Sequence, residues 1–432
     1  KNKMVKTNKK TILAIVLTLI VAILMPIVVI TLPKEDSTVV QAATLTDSQL
    51  EQRRANPGLY QTDSMSFVQV DGVDLTWDVI VADYLDSQQP YNILCKNTMP
   101  AGDLVCGERD VWTLVSAFAY RQLTSVDLTN VNIDGHFNNM LQAFYYCTSL
   151  KSVIFGPNFD TQYVTNFNSA FEHCTSLTSI DLSNFTITEA TTMERMFAGC
   201  TNLKEIKFGN NLNPIKLTNI KSLFADTPIT SVDLSVFASA PLKDITNLFG
   251  DCSNLTSVDL SPLNLKNVTS INSLFFDCTS LTDVNLSNAN FDSLVYANNA
   301  FKGCKNLNSI TFNGNFNTNN LTEMTYIFSN CTNLTTLDLS GFNISNVTNV
   351  SGLIENCSSL TTIKFGDNFN ASLTKINNIF NSTSMSSVPV KNIVLGTNFL
   401  ASSETSMNSI FKYLNNLETV DFNGFDTPNI TL

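Results

Sequence analysis

The chain has 432 residues, 44% of them hydrophobic and only 14% charged, with a net charge of −12. An acidic chain without a basic stripe argues against phosphate backbones, so nucleic acid is not an expected partner. With 2 His and 16 Gly there is little material for imidazole chemistry or for phosphate-cradling loops.

Lys1, Lys3, Lys6, Lys9 and Lys10 precede an uncharged, Ile/Leu/Val-rich run over 11–33, and Val40-Gln41-Ala42-Ala43 comes after it. A basic start, an apolar core and a small-x-small site make a secretory signal with its cut after Ala42. The run is also long enough to span a bilayer. Residues 1–42 therefore read as a signal peptide or an N-terminal membrane anchor. Either way the rest of the chain is expected to be secreted or held at the cell surface, and to meet the membrane only through this segment. Six Lys against Glu35 and Asp36 in this segment leave the remainder near −16.

Residues 43–110 show short alternating stretches, Phe67–Val70 and Leu75–Val79, and read as an N-terminal cap on residues 111–432. Cys95 and Cys106 lie here, and in an exported chain they are the candidates for a disulfide.

From 111 to 432 one pattern recurs. A bulky apolar residue opens it, a small residue stands three further on, an apolar residue three after that, and then Ile or Val. Phe171-x-x-Cys174-x-x-Leu177-x-x-Ile180-x-Leu182 is one copy. The openers are Phe118, Phe144, Phe171, Phe197, Phe224, Phe249, Phe275, Phe301, Phe328, Ile354, Phe380 and Phe411, spaced 25 to 27 residues apart except for a last gap of 31. A fixed period of this length means a stacked repeat. Within a copy, Ile180-x-Leu182 and its equivalents alternate as a strand does. Residues such as Met193, Met196 and Phe197, at i, i+3 and i+4, predict a short helical turn. Thr165, Thr218, Thr269, Thr322, Thr348, Thr374 and Thr405 read as its N-caps. Gly156, Gly209 and Gly366 read as residues in a turn conformation that a side chain would resist. The expected architecture is an α/β solenoid: a leucine-rich-repeat-like right-handed stack of about twelve 26-residue repeats. It would carry a parallel sheet on one side and short helices on the other. The chain stops partway through a repeat, which reads as truncation at the C-terminus.

The copies at Phe171–Phe185, Phe197–Phe208, Phe249–Leu263 and Phe328–Phe342, with the linking Asn346-Val347-Thr348-Asn349, resemble the BspA-like leucine-rich-repeat surface proteins of bacteria. The resemblance covers about 111–432. It implies a surface-displayed module for adhesion or recognition, binding protein or glycan on host or neighbouring cells, and it carries over no catalytic residue. A structural envelope spacer without a specific ligand, or the targeting region of a larger protein with a further C-terminal domain, are the alternatives.

Chemistry is sparse. Cys147, Cys174, Cys200, Cys252, Cys278, Cys304, Cys331 and Cys357 share one repeat position, and their spacing fits no zinc motif. They read as a buried small-residue ladder. His173 sits beside Cys174 without an orienting third group, and His136 lies in an Asp-Gly-His turn. No Walker, dinucleotide, His-Glu-x-x-His or EF-hand pattern occurs. The expectation is a non-enzyme with no cofactor and no metal; a Ca²⁺ site between Asp233 and Asp259 would lack a binding loop. The candidate site is the exposed side of the strands, a column of Asp127, Asp181, Lys207, Asp233, Asp259, Asp338, Lys364 and Asp421, with Asn285 and Thr311 at the same position. Charge reversal at Asp233, Asp259 and Asp338 is expected to weaken binding without lowering stability. The insertion near 382–404 is the next candidate surface.

Overall fold

A computed structural model describes residues 114–424, except 117, 121–122, 130, 134–136, 287–288, 311, 313–315, 368, 381–387, 400–409 and 423. It also describes the backbone of five short strands between 67 and 111. The readings of residues 1–42, of His136, Thr311 and Thr405, and of 382–387 and 400–404 within the insertion lie outside the described residues. Among those described, no helix is long and apolar enough to cross a membrane.

The described chain is a parallel stack of coils. Five strands precede the repeats: β1 (Phe67–Gln69), β2 (Trp77–Val79), β3 (Cys95–Asn97), β4 (Asp103–Cys106) and β5 (Arg109–Val111). β1 and β2 pair antiparallel, as do β3 and β4. β4 then lies parallel to β6 (Ser125–Leu128), and β5 parallel to β7 (Val131–Ile133). The repeat strands continue with β8 (Ser152–Phe155), β9 (Ser179–Leu182), β10 (Glu205–Phe208), β11 (Ser257–Asp259), β12 (Asp283–Asn285), β13 (Ser309–Ile310), β14 (Thr336–Leu339), β15 (Thr362–Phe365), β16 (Asn392–Val394) and β17 (Thr419–Asp421). Each pairs in parallel with a neighbour one coil away, within the sheets β3-β4-β6-β8, β9-β10, β11-β12 and β13 to β17. The alternation read from the sequence decides which side is buried. In β9, Ile180 and Leu182 face the core while Ser179 and Asp181 face out.

The core is a set of columns, because each coil places the same side chain over the last. The opening Phe rings from Phe118 to Phe328 stack with centroids 4.9–6.5 Å apart and nearly parallel planes. Full burial of one such ring is worth about 1.5–3 kcal/mol. Ring-on-ring contact adds roughly 0.5–1.5 kcal/mol. No coil could bury its ring alone, so stability is shared between neighbours.

The stretch with helical spacing is helical in one described copy, α1 (Leu373–Phe380), and a 3₁₀ turn forms at Ser235–Phe237. In the copies opened by Phe144 to Ile354 it is a run of overlapping turns. Their alternate N–H groups donate to the next coil: Met140 to Asn166, Gln142 to Asn168, Phe144 to Ala170 and Tyr146 to Glu172, at 2.7–2.9 Å. The residues two before and two after the opener take positive φ, as at Ser169 (54°) and His173 (59°). An α-helix would close these bonds within one coil; here stacking claims them, and the i, i+3, i+4 spacing buries the same residues in either conformation. A second parallel ladder starts this stretch and runs Asn139, Asn166, Thr192, Asn219, Asp244, Ser270, Tyr296, Glu323, Asn349 without a break.

The expected N-caps are also reassigned. The hydroxyls of Thr165, Thr218, Thr322 and Thr348 donate to a carbonyl of the preceding coil at 3.1–3.2 Å. Capping falls to the next residue, whose side-chain oxygen accepts from the N–H two positions on, as Asn166 does from Asn168 at 2.8 Å and Asp244 from Thr246 at 2.9 Å. Gly209, Gly156 and Gly366 do not take a left-handed conformation. They are small because a Cβ would run into the backbone carbonyl of Ser183, Thr129 or Ser340 one coil below.

Candidate functional site

Parallel pairing brings most of the predicted column into register. Asp181 lies opposite Lys207, Asp259 opposite Asn285, Asp338 opposite Lys364, and Lys364 opposite Val394, itself opposite Asp421. Asp127 faces Ile154. Asp233 has no strand partner, because the strand position of its coil forms no ladder. Asp181, Lys207, Asp233, Asp259, Lys364 and Asp421 are exposed, and Asp127 and Asp338 are partly so.

The aspartates are not free acids awaiting a ligand. In each Asp-x-Ser/Thr unit one carboxylate oxygen accepts the N–H two residues on, which turns the chain off the strand. Thr129 donates to Asp127 at 2.8 Å, Ser183 to Asp181 at 2.8 Å, Ser235 to Asp233 at 2.9 Å, Ser261 to Asp259 at 2.9 Å and Ser340 to Asp338 at 3.0 Å. Lys207 and Lys364 close onto the acid of the preceding coil, at 2.9 Å from Asp181 and 3.7 Å from Asp338. The Ser183 hydroxyl and then Lys207 hold the Asp181 carboxyl down at about 2. The two hydrogen bonds from Ser235 likewise lower Asp233. Among the described residues, no cation lies within ion-pair distance of Asp127, Asp233 or Asp259. Asp233 and Asp259, in adjacent coils, therefore keep charges that no cation among the described residues neutralises.

The cysteine ladder is packing with a defined polar task. Each thiol donates to the carbonyl of the preceding coil's opener: Cys147 to Phe118, Cys174 to Phe144, Cys200 to Phe171 and Cys278 to Phe249, at 2.9–3.1 Å. All eight ladder cysteines are buried and none is in a disulfide. Burial pushes Cys200 and Cys357 up to about 12 and Cys252 to about 11, so these three thiols stay protonated near neutrality.

His173 diverges from Cys174. Its ring packs at a tilt of 40° against Tyr146, 4.3 Å between centroids, and its Nε2 lies 3.6 Å from Glu172 Oε1. Glu172 is buried and chelated by Arg195 through Nε at 2.9 Å and Nη2 at 2.5 Å. Burial, followed by the Glu172 charge, lifts the Tyr145 hydroxyl to about 12. This is a structural ion pair under an aromatic shelf. Among the described residues, no three His, Cys, Asp or Glu side chains are placed to hold a metal ion.

One feature the column reading missed is an opening in the strand face beside Asp233. A cleft of about 400 Å³ lies between β10 and residues 229–236, lined by Lys204, Ile206, Lys207, Phe208, Val232 and Asp233 among others. Its signal in the sequence is the gap of 25 between Phe224 and Phe249.

Residues 113–237, 206–313 and 286–393 match a family model described as "Mycoplasma protein of unknown function, DUF285", so the matches span more than half of the chain. No curated protein matches it. Among solved structures, a leucine-rich repeat protein from Bacteroides ovatus is 20% identical with a TM-score of 0.38. It covers 58% of this chain, which in turn spans 63% of that protein, under two thirds of its length. The T. pallidum leucine-rich repeat protein is 18% identical with a TM-score of 0.27, over 50% of this chain and 87% of that one. A leucine-rich repeat protein from Eubacterium ventriosum is 12% identical with a TM-score of 0.30, over 79% of this chain and 95% of that one.

Proposed function

We propose that this chain, which belongs to the DUF285 family, is an exported recognition scaffold whose exposed strand face binds a protein or glycan on host or neighbouring cells. Its repeat is that of the BspA-like leucine-rich-repeat proteins, and it is a solenoid scaffold rather than a catalytic fold. Stacked repeats bind along their extended sheet surfaces. The observation that carries the reading is the exposed polar column, in register over Asp181–Lys207, Asp259–Asn285 and Asp338–Lys364, with Asp233 and Asp259 exposed on adjacent coils and without a cation partner among the described residues. Export rests on the basic, apolar and small-residue order of residues 1–43. The part of the chain over 43–110 serves in this reading as the N-terminal cap, since β4 extends the parallel sheet past β6.

The test is capture. Purified residues 43–432 are presented to matrix proteins, surface glycans and intact cells over a range of salt. Saturable binding, weakened by the Asp233→Asn and Asp259→Asn pair, is expected. No saturable binding at any salt would leave a structural spacer as the better account.

A further inference from the structure

The coil opened by Phe224 is one residue short. Other copies read Cys-x-x-Leu after the opener, as in Cys200-Thr201-Asn202-Leu203; here Thr227-Pro228-Ile229 takes that place. The missing residue belongs to the turn that carries the chain up to the strand. The consequences lie on one side of the stack only. On the turn side the coils stay bonded: Met193 donates to Asn219, Phe197 to Leu223 and Gly199 to Ala225 at 2.9–3.1 Å, and Thr192 bridges Asn219. On the strand side, no backbone hydrogen bond among the described residues joins Glu205–Phe208 to residues 230–234, which form no strand. Thr227 also fails to continue the thiol ladder; its hydroxyl turns back to the Phe224 carbonyl of its own coil at 2.6 Å. The stack is wedged open there.

The strand ladder is also interrupted between β8 and β9 and between β12 and β13; at β10 the interruption comes with a cleft, and that cleft exposes two things. One is the free edge of β10, whose backbone N–H and C=O groups on that side have no partner among the described residues. The other is an apolar floor. Ile206, Phe208, Val232 and Val236 are only partly buried, whereas Ile180 and Val258, equivalent to Ile206 and Val232, are each 4% exposed. At about 400 Å³ the space falls in the range of ligand sites. The walls carry mixed charge, Lys204, Glu205 and Lys207 on one and Asp233 on the other, which sum to zero, so neither a basic nor an acidic run is favoured between them.

We propose that this cleft is a docking slot for one extended strand of a partner protein, with no net charge and with apolar residues at alternate positions. An unpaired strand edge is complemented by another strand at the same repeat. Strand addition draws its affinity from main-chain hydrogen bonds and its selectivity from alternate side chains. In this slot the inward side chains cover Ile206 and Val232, and the outward ones lie between Lys207 and Asp233. The inference goes beyond the reading of the polar column and does not depend on export or adhesion.

The probe is a C-amidated, fluorescein-labelled hexapeptide, Thr-Ser-Ile-Asn-Leu-Ser, the sequence of residues 178–183 with asparagine in place of its aspartate so that no side chain is charged, titrated with the purified full chain and followed by anisotropy. Saturable binding is expected, at least tenfold weaker for the same peptide with proline in place of its isoleucine, which cannot donate to the edge. A repaired chain, Pro228→Thr with one Asn inserted before Ile229, restores the turn, closes the cleft and loses the peptide by at least tenfold. It leaves Asp233 and Asp259 in place, so capture of a surface partner is read separately from peptide binding. Absence of peptide binding by the native chain, equal binding of the proline peptide, or undiminished binding by a folded repaired chain would each overturn the proposal. The proline arm stands even where the repaired chain does not fold.

Discussion

The rings of Phe197 and Phe224 lie 6.5 Å apart between centroids, the widest step in the phenylalanine column, though their planes stay within 6° of parallel. The core thus spreads at a coil boundary where the strand ladder is interrupted, as it also is between β8 and β9 and between β12 and β13, while the turn ladder through Thr192 and Asn219 holds. Amides with no ladder partner open at little cost. Hydrogen exchange is expected to be faster for residues 230–234 than for Thr336–Leu339 or Thr362–Phe365, which have strands on both sides. Equal protection, read peptide by peptide by mass spectrometry, would mean that the boundary is closed in solution.

The Asx turns change how the polar column has to be probed. Charge reversal at Asp233, Asp259 or Asp338 removes an acceptor along with a charge, so a loss of stability is expected beside any loss of binding. Asp259→Ala is expected to cost about 0.5–1 kcal/mol by releasing the Ser261 N–H. Asp259→Asn keeps the Oδ1 acceptor and is expected to be neutral in urea unfolding. Partner affinity lowered by Asp259→Asn at unchanged stability would isolate the charge as the recognition element; unchanged affinity would remove Asp259 from the site.

Much of this was legible in the chain, and the reasons differ by element. The Ile180-x-Leu182 alternation names a strand because one face is buried and a single-residue slip would invert it. Met193, Met196 and Phe197 could not distinguish a helix from stacked turns, since both bury the same three side chains. The difference lies in where the N–H groups bond, and that is settled by the neighbouring coil. Asp233 was found as a column member, but its Asx turn depends on Ser235, a pairing visible in every Asp-x-Ser copy once the turn is considered. The cleft was written in the spacing of 25 and in Pro228, yet a length change shows only that something shifts. Which side of the stack opens depends on which ladder survives.

Removing one thiol tests the ladder. Cys278 is fully buried and donates to the Phe249 carbonyl at 3.0 Å. Cys278→Ala leaves that acceptor with one partner fewer and a small void, and is expected to cost about 1–2 kcal/mol. Because burial raises every ladder thiol whose shift is resolved, iodoacetamide at pH 8 is expected to leave the eight unlabelled in the native chain and to reach them all in guanidinium. Rapid native labelling of Cys278 or Cys304 would contradict this packing.

Asp226, Asp251 and Asp277 stack on the turn side, two residues after the openers of three consecutive coils, each at positive φ. Burial, and then the charges of Asp277 and Asp226, raise the Asp251 carboxyl above its ordinary 3.8. A carboxyl raised in the folded state lowers stability at neutral pH, and that loss is relieved as pH falls through the raised value. Asp251→Asn is therefore expected to be more stable at pH 7. The gain should be no more than about 0.5 kcal/mol, since solvent screens a side chain this exposed. Thermal unfolding of the two chains should converge below pH 4; a difference that persists there would assign the effect to backbone conformation.

Cys95 and Cys106 are direct partners across the antiparallel β3–β4 pair. Facing residues in such a pair have Cα atoms about 4.5–5.5 Å apart. A disulfide needs about 4.4–6.8 Å, so the backbone register alone meets its first requirement. We propose that the two cysteines are bonded in the exported chain, closing a loop of about a dozen residues that is worth roughly 2–3 kcal/mol. Alkylation of the denatured chain should label only the ladder cysteines, with both Cys95 and Cys106 taking label after reduction. The same reduction should lower the unfolding midpoint of the sheet edge at β4 and leave the coils from β13 onward unchanged. Labelling of Cys95 without reduction, in chain prepared from an oxidising compartment, would rule the bond out.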